Sequence, residues 1–191
     1  MRTPTCLATP ILAGCMLAVA STLAIAQAAA PAKPPVGSTV PPAQIYGKIL
    51  ASLETNFVSA AEAMPEDKYD FAPPVTAGEF KGVRTFGGEV KHVAQANAFY
   101  FHDPNAPLVD TRADYDKLKT KAEIVKALKD SFATAHAYVD AITPENAFVM
   151  TANGTRAGLA TQGLEHLMDH YGQMVVYLRM NGIIPPASRP K

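Results

Sequence analysis

The stretch Glu165-His166-Leu167-Met168-Asp169-His170-Tyr171-Gly172-Gln173 decides how this chain folds. It lies inside a helical pattern running from about Arg156 to Asn181. Gly182 and then Pro185-Pro186 end that pattern, because glycine accepts the left-handed turn that closes a helix and proline cannot continue one. On a wheel of about 100° per residue, Leu164, Leu167, Met168, Tyr171, Met174, Val175 and Leu178 share one broad apolar face. Gln162, His166, Asp169, His170, Gln173 and Tyr177 form an adjoining polar stripe. His166 and His170, spaced i, i+4, therefore project from the same side about one turn apart.

Three more amphipathic patterns precede this one. From Pro42 to Met64, Ile45, Ile49, Leu53, Phe57 and Ala61 recur at helical spacing, widened by Leu50 and Val58, and Pro65-Glu66-Asp67 ends the run. A loop with Pro73, Pro74, Gly78 and Gly82 leads to Thr85, a natural N-cap. The second helix follows from Phe86 to Phe101, with Phe86, Val90, Val93, Asn97 and Phe101 facing the core. A polar connection, His102 to Lys119, carries Pro104 and Pro107. Thr120-Lys121-Ala122-Glu123 then reads as a capping box, and Ile124, Leu128, Phe132, Ala135, Val139 and Ile142 run down one face until Thr143-Pro144. Asn153-Gly154 marks a turn. No strand pattern and no internal repeat emerge. Four such stripes bury one another most simply as an all-α four-helix bundle.

His92, in Gly88-Glu89-Val90-Lys91-His92-Val93, borders the core face of the second helix as His166 and His170 border that of the fourth. Three neutral imidazoles with one vertex left open describe a catalytic metal site better than a closed structural one. Gly88 and Ala96 lie within a turn of His92 and leave room for an ion and a ligand. Each ligating ring needs a partner for its other nitrogen; Asp169, Gln173, Glu89 and Gln95 are the candidates. Asp169 and Glu89 are also the candidates for a catalytic role, orienting ligands or moving protons. His136 reads as structural and His102 as a surface loop residue.

Several chemistries are disfavoured. A zinc-protease helix places Glu directly after its first histidine, where this chain has Leu167. A ferritin-like two-iron centre needs two Glu-x-x-His units; Glu89-x-x-His92 is one, but Leu167 stands three before His170. The chain has no Cys-x-x-Cys-His for covalent haem.

Arg2, the apolar run Ile11 to Ala26 and the small residues Ala24 and Ala26 are expected to form a secretory signal peptide over residues 1–26. Cleavage after Ala28 is the variant, and an uncleaved anchor the rival reading. Leu12-Ala13-Gly14-Cys15 resembles a lipobox, so lipid anchoring at Cys15 is the alternative to a periplasmic or secreted protein. Both cysteines, Cys6 and Cys15, fall in this segment. The mature chain would then offer no disulfide and no thiolate ligand. Residues 27–42, rich in Ala and Pro, read as a linker, and residues 43–186 as the bundle, with 187–191 as a tail. Without Arg2, 16 basic side chains face 17 acidic ones. No basic block points to nucleic acid or, after signal cleavage, to a membrane surface.

The motifs Ala63-Met64-Pro65-Glu66-Asp67-Lys68-Tyr69, Thr85-Phe86-Gly87, His92-Val93-Ala94, His166-x-x-x-His170-Tyr171-Gly172-Gln173 and Tyr177-Leu178-Arg179-Met180-Asn181-Gly182-Ile183-Ile184-Pro185-Pro186 resemble the DinB (damage-inducible) family of metal-binding four-helix bundles. The resemblance spans about residues 43–186. It implies one divalent ion, zinc or nickel among others, held by His92, His166 and His170. It implies as activity a metal-dependent hydrolase or a thiol-dependent transferase acting on an unknown small molecule, and a homodimer as assembly. A non-catalytic metal- or ligand-binding stress protein is the alternative. Export argues against a cytosolic thiol cofactor. The family name implies no DNA binding.

Overall fold

The computed structural model describes residues 33–190. The expected signal peptide, both cleavage points and Cys15 lie outside the described residues. The chain divides into Met1–Val36 and Gly37–Lys191, and the following concerns the second unit.

Four long helices carry the core: α1 (Pro42–Ala63), α2 (Phe86–Tyr100), α4 (Lys121–Asp140) and α5 (Arg156–Met180), with a short α3 (Arg112–Asp116) between α2 and α4. Their ends follow local chemistry. The Thr85 side chain accepts from the Gly88 N–H at the start of α2, and Thr155 does the same for Gly158 at α5. At α4, Thr120 and Glu123 complete the expected capping box. Gly182, with φ of 71°, makes the left-handed turn after α5. The Asn153-Gly154 turn tightens into a ribbon of β1 (Met150–Thr151) and β2 (Gly154–Thr155), Met150 opposite Thr155 and Thr151 opposite Gly154. Two-residue strands are too short to show an alternating pattern, which is why the sequence gives no sign of them.

α2 packs against α4 and α5, and α1 packs against α4 and α5, so consecutive helices α1 and α2 lie across the bundle from each other. Cross-helix contacts set the directions. Arg84 meets Tyr177, Glu89 meets His170 and Phe101 meets Gly163, so α2 and α5 run antiparallel. Asn97 meets Ser131 and Phe101 meets Tyr138, so α2 and α4 run parallel. Parallel neighbours cannot be joined by a tight turn. Residues 101–120 must return along the bundle, and on the way they form α3, which packs on α2. The 64–85 connection docks on the start of α2 through Phe86 N–H to Phe71 O at 2.8 Å and Gly87 N–H to Tyr69 O at 2.7 Å.

The core is centred on Leu50, Leu53, Phe57, Phe86, Val90, Val93, Leu128, Phe132, Leu167, Met174 and Leu178, all buried. Three residues expected on core faces are not: Ile45 is 49% exposed, Ile49 44% and Met168 56%. They line one groove between α1 and α5. A wheel shows the width of an apolar stripe but not where packing stops, and here the inward line is Leu50-Leu53-Phe57 while Ile45 and Ile49 lie one flank away. Tyr177 and His170, expected on the polar stripe, are buried.

Gly163 allows the close approach of α5 to the end of α2. A Cβ there would stand 2.6 Å from Phe101 Cζ and 3.0 Å from Tyr100 Cβ. Phe101 is itself buried against Tyr138 and cannot swing away. Gly163→Ala is expected to destabilise the fold by about 1–3 kcal/mol through overpacking, read as a lower urea midpoint at unchanged slope. An unshifted midpoint would show that this contact relaxes freely.

Candidate metal centre

His92 comes from the middle of α2, and His166 and His170 from one side of α5. The antiparallel register of these two helices brings the three rings together. Nε2 of His166 lies 3.1 Å from Nε2 of His92 and 3.1 Å from Nε2 of His170. Ring centroids are 5.0, 4.7 and 4.4 Å apart for the pairs 92–166, 92–170 and 166–170. All three ligand atoms fall within 4.8 Å of one another. Zn–N bonds of about 2.0–2.1 Å at tetrahedral angles place ligand nitrogens roughly 3.3 Å apart, so the spacing suits one small cation.

The proton inventory fits the same conclusion. Glu89 Oε2 lies 2.6 Å from His170 Nδ1. A carboxylate accepts, so Nδ1–H donates, and the neutral ring keeps its proton there. Nε2 of His170 then turns a bare lone pair to the cluster. His166 Nε2 faces two other ring nitrogens and can supply at most one N–H to one of them. A cation satisfies all three lone pairs at once. Glu89, one of the four partners the sequence offers, is thus the one that orients a ring. It is 2% exposed and His170 6%. Arg84 Nη1 stands 3.9 Å from the other carboxylate oxygen of Glu89. Asp169 accepts instead from Gln173 Nε2 at 3.1 Å on the exposed side.

Burial lowers the His92 pKa to about 4, helped by the positive charge of Arg84 and by His170, with Glu89 opposing. Burial likewise lowers His166 to about 4, helped by His170 and His92 and opposed by Asp169. Both rings are therefore neutral at physiological pH, as ligation requires.

The other two histidines stand apart. His136 Nε2 pairs with Glu54 Oε2 at 2.9 Å and ties α4 to α1, the structural part expected of it. His102 is more than a surface residue. It is half-buried, its Nδ1–H donates to Phe99 O at 2.6 Å, and its Nε2 accepts from Asn153 Nδ2 at 3.1 Å. Asn153 also reaches Pro104 O and Ala106 O, so His102 pins the β1–β2 turn to the 101–120 connection. Arg84, Lys91, Arg112 and Tyr115 line a cleft beside His92; nothing in the sequence sets them apart from ordinary surface residues.

A helical bundle with three converging imidazoles defines a protein able to hold one metal ion. The family model of the DinB superfamily matches residues 49–174, and the chain belongs to that superfamily. Comparison with curated proteins finds no match.

Two outcomes follow. Glu89→Ala should weaken zinc binding about 10–100-fold, measured by chelator competition, whereas unchanged affinity would show the Glu89 contact to be irrelevant to ligation. For the pH dependence, an unfolded histidine takes up a proton near 6.5, while His92 and His166 in the fold resist until about 4. Between those values the unfolded chain binds more protons. Stability of the metal-free protein should fall as pH drops from about 6.5 to 4, and the paired substitution His92→Asn/His166→Asn should flatten that slope. Equal slopes in urea titrations of the two proteins would contradict it.

Proposed function

We propose that the protein is an exported metalloenzyme. In this reading it holds one divalent ion, zinc or nickel, through His92, His166 and His170 and hydrolyses a small-molecule substrate. The supporting observation is the convergence of three Nε2 atoms at a spacing that suits tetrahedral ligation, with the His170 ring locked by Glu89. When bound, the ion supplies a Lewis acid with an open position, which polarises a bond and makes water a usable nucleophile at neutral pH. The chain's own contributions are distinct from that. Glu89 fixes the ring of His170, burial keeps His92 and His166 unprotonated, and the Tyr100 ring, 5.4 Å from that of His166, walls one side. The apolar leader over residues 1–26 supports export. Outside the cytosol low-molecular-weight thiols are scarce, which favours hydrolysis over thiol transfer.

One observation favours a second, non-catalytic reading. The two acids considered for a catalytic role are engaged, Glu89 by His170 and Asp169 by Gln173, so neither stands ready as a general base. Under that reading the ion holds a ligand, or joins α2 to α5.

The deciding measurement has two stages. Metal content of the purified protein should be close to one ion per chain and should be lost in His166→Ala; equal content in both would end the metal reading. The loaded protein should then be screened against esters, amides, lactones and thiol–electrophile pairs. Turnover that disappears in His166→Ala supports the hydrolase, and silence from a fully occupied site supports the binding protein.

A further inference from the structure

His92, one of the three clustered histidines, lines a cleft of about 280 Å³ between α2 and α3. One wall is α2, with Lys91, His92 and Gln95; the other is α3, with Arg112, Tyr115 and Asp116; Arg84 closes one end. Three cations face one carboxylate. Their existing bonds differ. Arg112 is held by Asp110 through Nε and Nη2 at 2.7–3.1 Å. Arg84 is 49% exposed and reaches only toward Glu89 at 3.9 Å, and that carboxylate is already committed to His170. Lys91 is half-buried and makes no hydrogen bond or ion pair among the described residues. Among the described residues Gln95 likewise makes no side-chain hydrogen bond. Lys91 thus joins Arg84 as a second cation without a hydrogen-bonded counter-charge among the described residues.

The cleft on the other side of Lys91 differs in kind. There Glu66 and Asp70 face Lys119 and Lys121, and the two lysines already donate to backbone carbonyls, Lys119 to Asp116 O and Lys121 to Glu62 O and Met64 O. Lys91 lines both clefts, but on the His92 side it stands with Arg84 and Arg112 against Asp116 alone, whereas on the other side two carboxylates are present. Arg84 also lies close enough to disfavour protonation of both His92 and His166.

We propose that this cleft is an anion subsite, in which Arg84 and Lys91 hold a carboxylate or phosphate group of the substrate while its reacting end reaches the three-histidine cluster. The proposal deepens the metal reading above and rests on it for the position of the reacting end. Guanidinium and ammonium donors suit oxyanions in complementary ways, the first as a planar fork and the second as a point charge. The volume suits a small group, being at the lower edge of the range for ligand pockets, roughly 300 Å³ upward. Gln95 adds a neutral donor that tolerates a negative partner.

The test is titration of the full chain with inorganic phosphate and, separately, with acetate, followed by amide chemical shifts. It is run on zinc-loaded protein and on His166→Ala. Saturable shifts are expected at residues 84–95 and 112–116 in both. Arg84→Gln/Lys91→Gln should weaken binding at least about tenfold, the scale of losing charge-assisted bonds. Lys48→Gln, on the distant groove between α1 and α5, controls for net charge and should change nothing. Response to phosphate alone assigns a phosphorylated substrate; response to acetate as well assigns a carboxylate. The proposal is overturned by three results: no saturable shift with either probe, shifts that survive the double substitution, or shifts lost in a folded His166→Ala protein, which would mean that the anion binds only the ion. Failure of zinc uptake would strike the metal reading alone, because phosphate titration of the zinc-free chain still interrogates the cleft.

Discussion

The hydrogen bond between Glu89 and His170 is the constraint on which the site depends. A carboxylate at 2% exposure is costly unless its charge is met. Here it is met in three ways: by the imidazole N–H at 2.6 Å, by Arg84 beyond it, and by its place in the first turn of α2, at the positive end of the helix dipole. Satisfying Glu89 also fixes the register of α2 against α5. With Phe101 lodged over Gly163 at one end and the Tyr177 hydroxyl donating to Arg84 O at the other, a slip of one turn would break all three contacts. It would also carry His92 about 5.4 Å from its place, far beyond the reach of a shared ion. The same contacts that pack two helices thereby align three rings.

Connectivity adds the second wall. Because α2 and α4 run parallel, the chain between them must retrace the bundle, and that return brings α3 across α2. A bundle with antiparallel sequential neighbours would have needed only a short loop there and would have left His92 facing solvent. The cleft beside the cluster is thus a consequence of topology, built from the polar 101–120 segment rather than from any core stripe.

Much of this was legible in the sequence, and the limits have physical causes. The four long helices were readable because each repeats its apolar residues over several turns, and their starts because Thr85 and Thr120–Glu123 satisfy free N–H groups locally. The grouping of His92 with His166 and His170 was readable from their position at core margins. Which acid would orient a ring was not. Glu89, Asp169, Gln173 and Gln95 are equivalent on a wheel, and only the α2–α5 register singles out Glu89. The exposure of Ile45, Ile49 and Met168 was hidden for a related reason: periodicity reports that a face is apolar, and tertiary packing decides how much of it is covered. α3, with five residues, and the β1–β2 ribbon are shorter than any period they could display. His102 looked like a loop residue because its partners, Phe99 O and Asn153, meet it only after the crossover is in place.

The charge balance of the centre sets its chemistry. Three imidazoles bring no charge to an ion, unlike thiolate or carboxylate ligands, so a divalent cation among them would keep nearly its whole charge. The nearest buried carboxylate, Glu89, spends its hydrogen bond on His170 and offsets part of that charge from a distance. Asp169 lies on the exposed side with Gln173, where water screens it. Arg84, Lys91 and Arg112 add further positive potential on the open flank. Were an ion held there, neutral ligands and flanking cations would together favour a negatively charged group as its further ligand. A ligand set rich in carboxylates would instead suit a centre that stores cations. Here the electrostatics accord with the proposed reading, in which the ion would polarise what it binds.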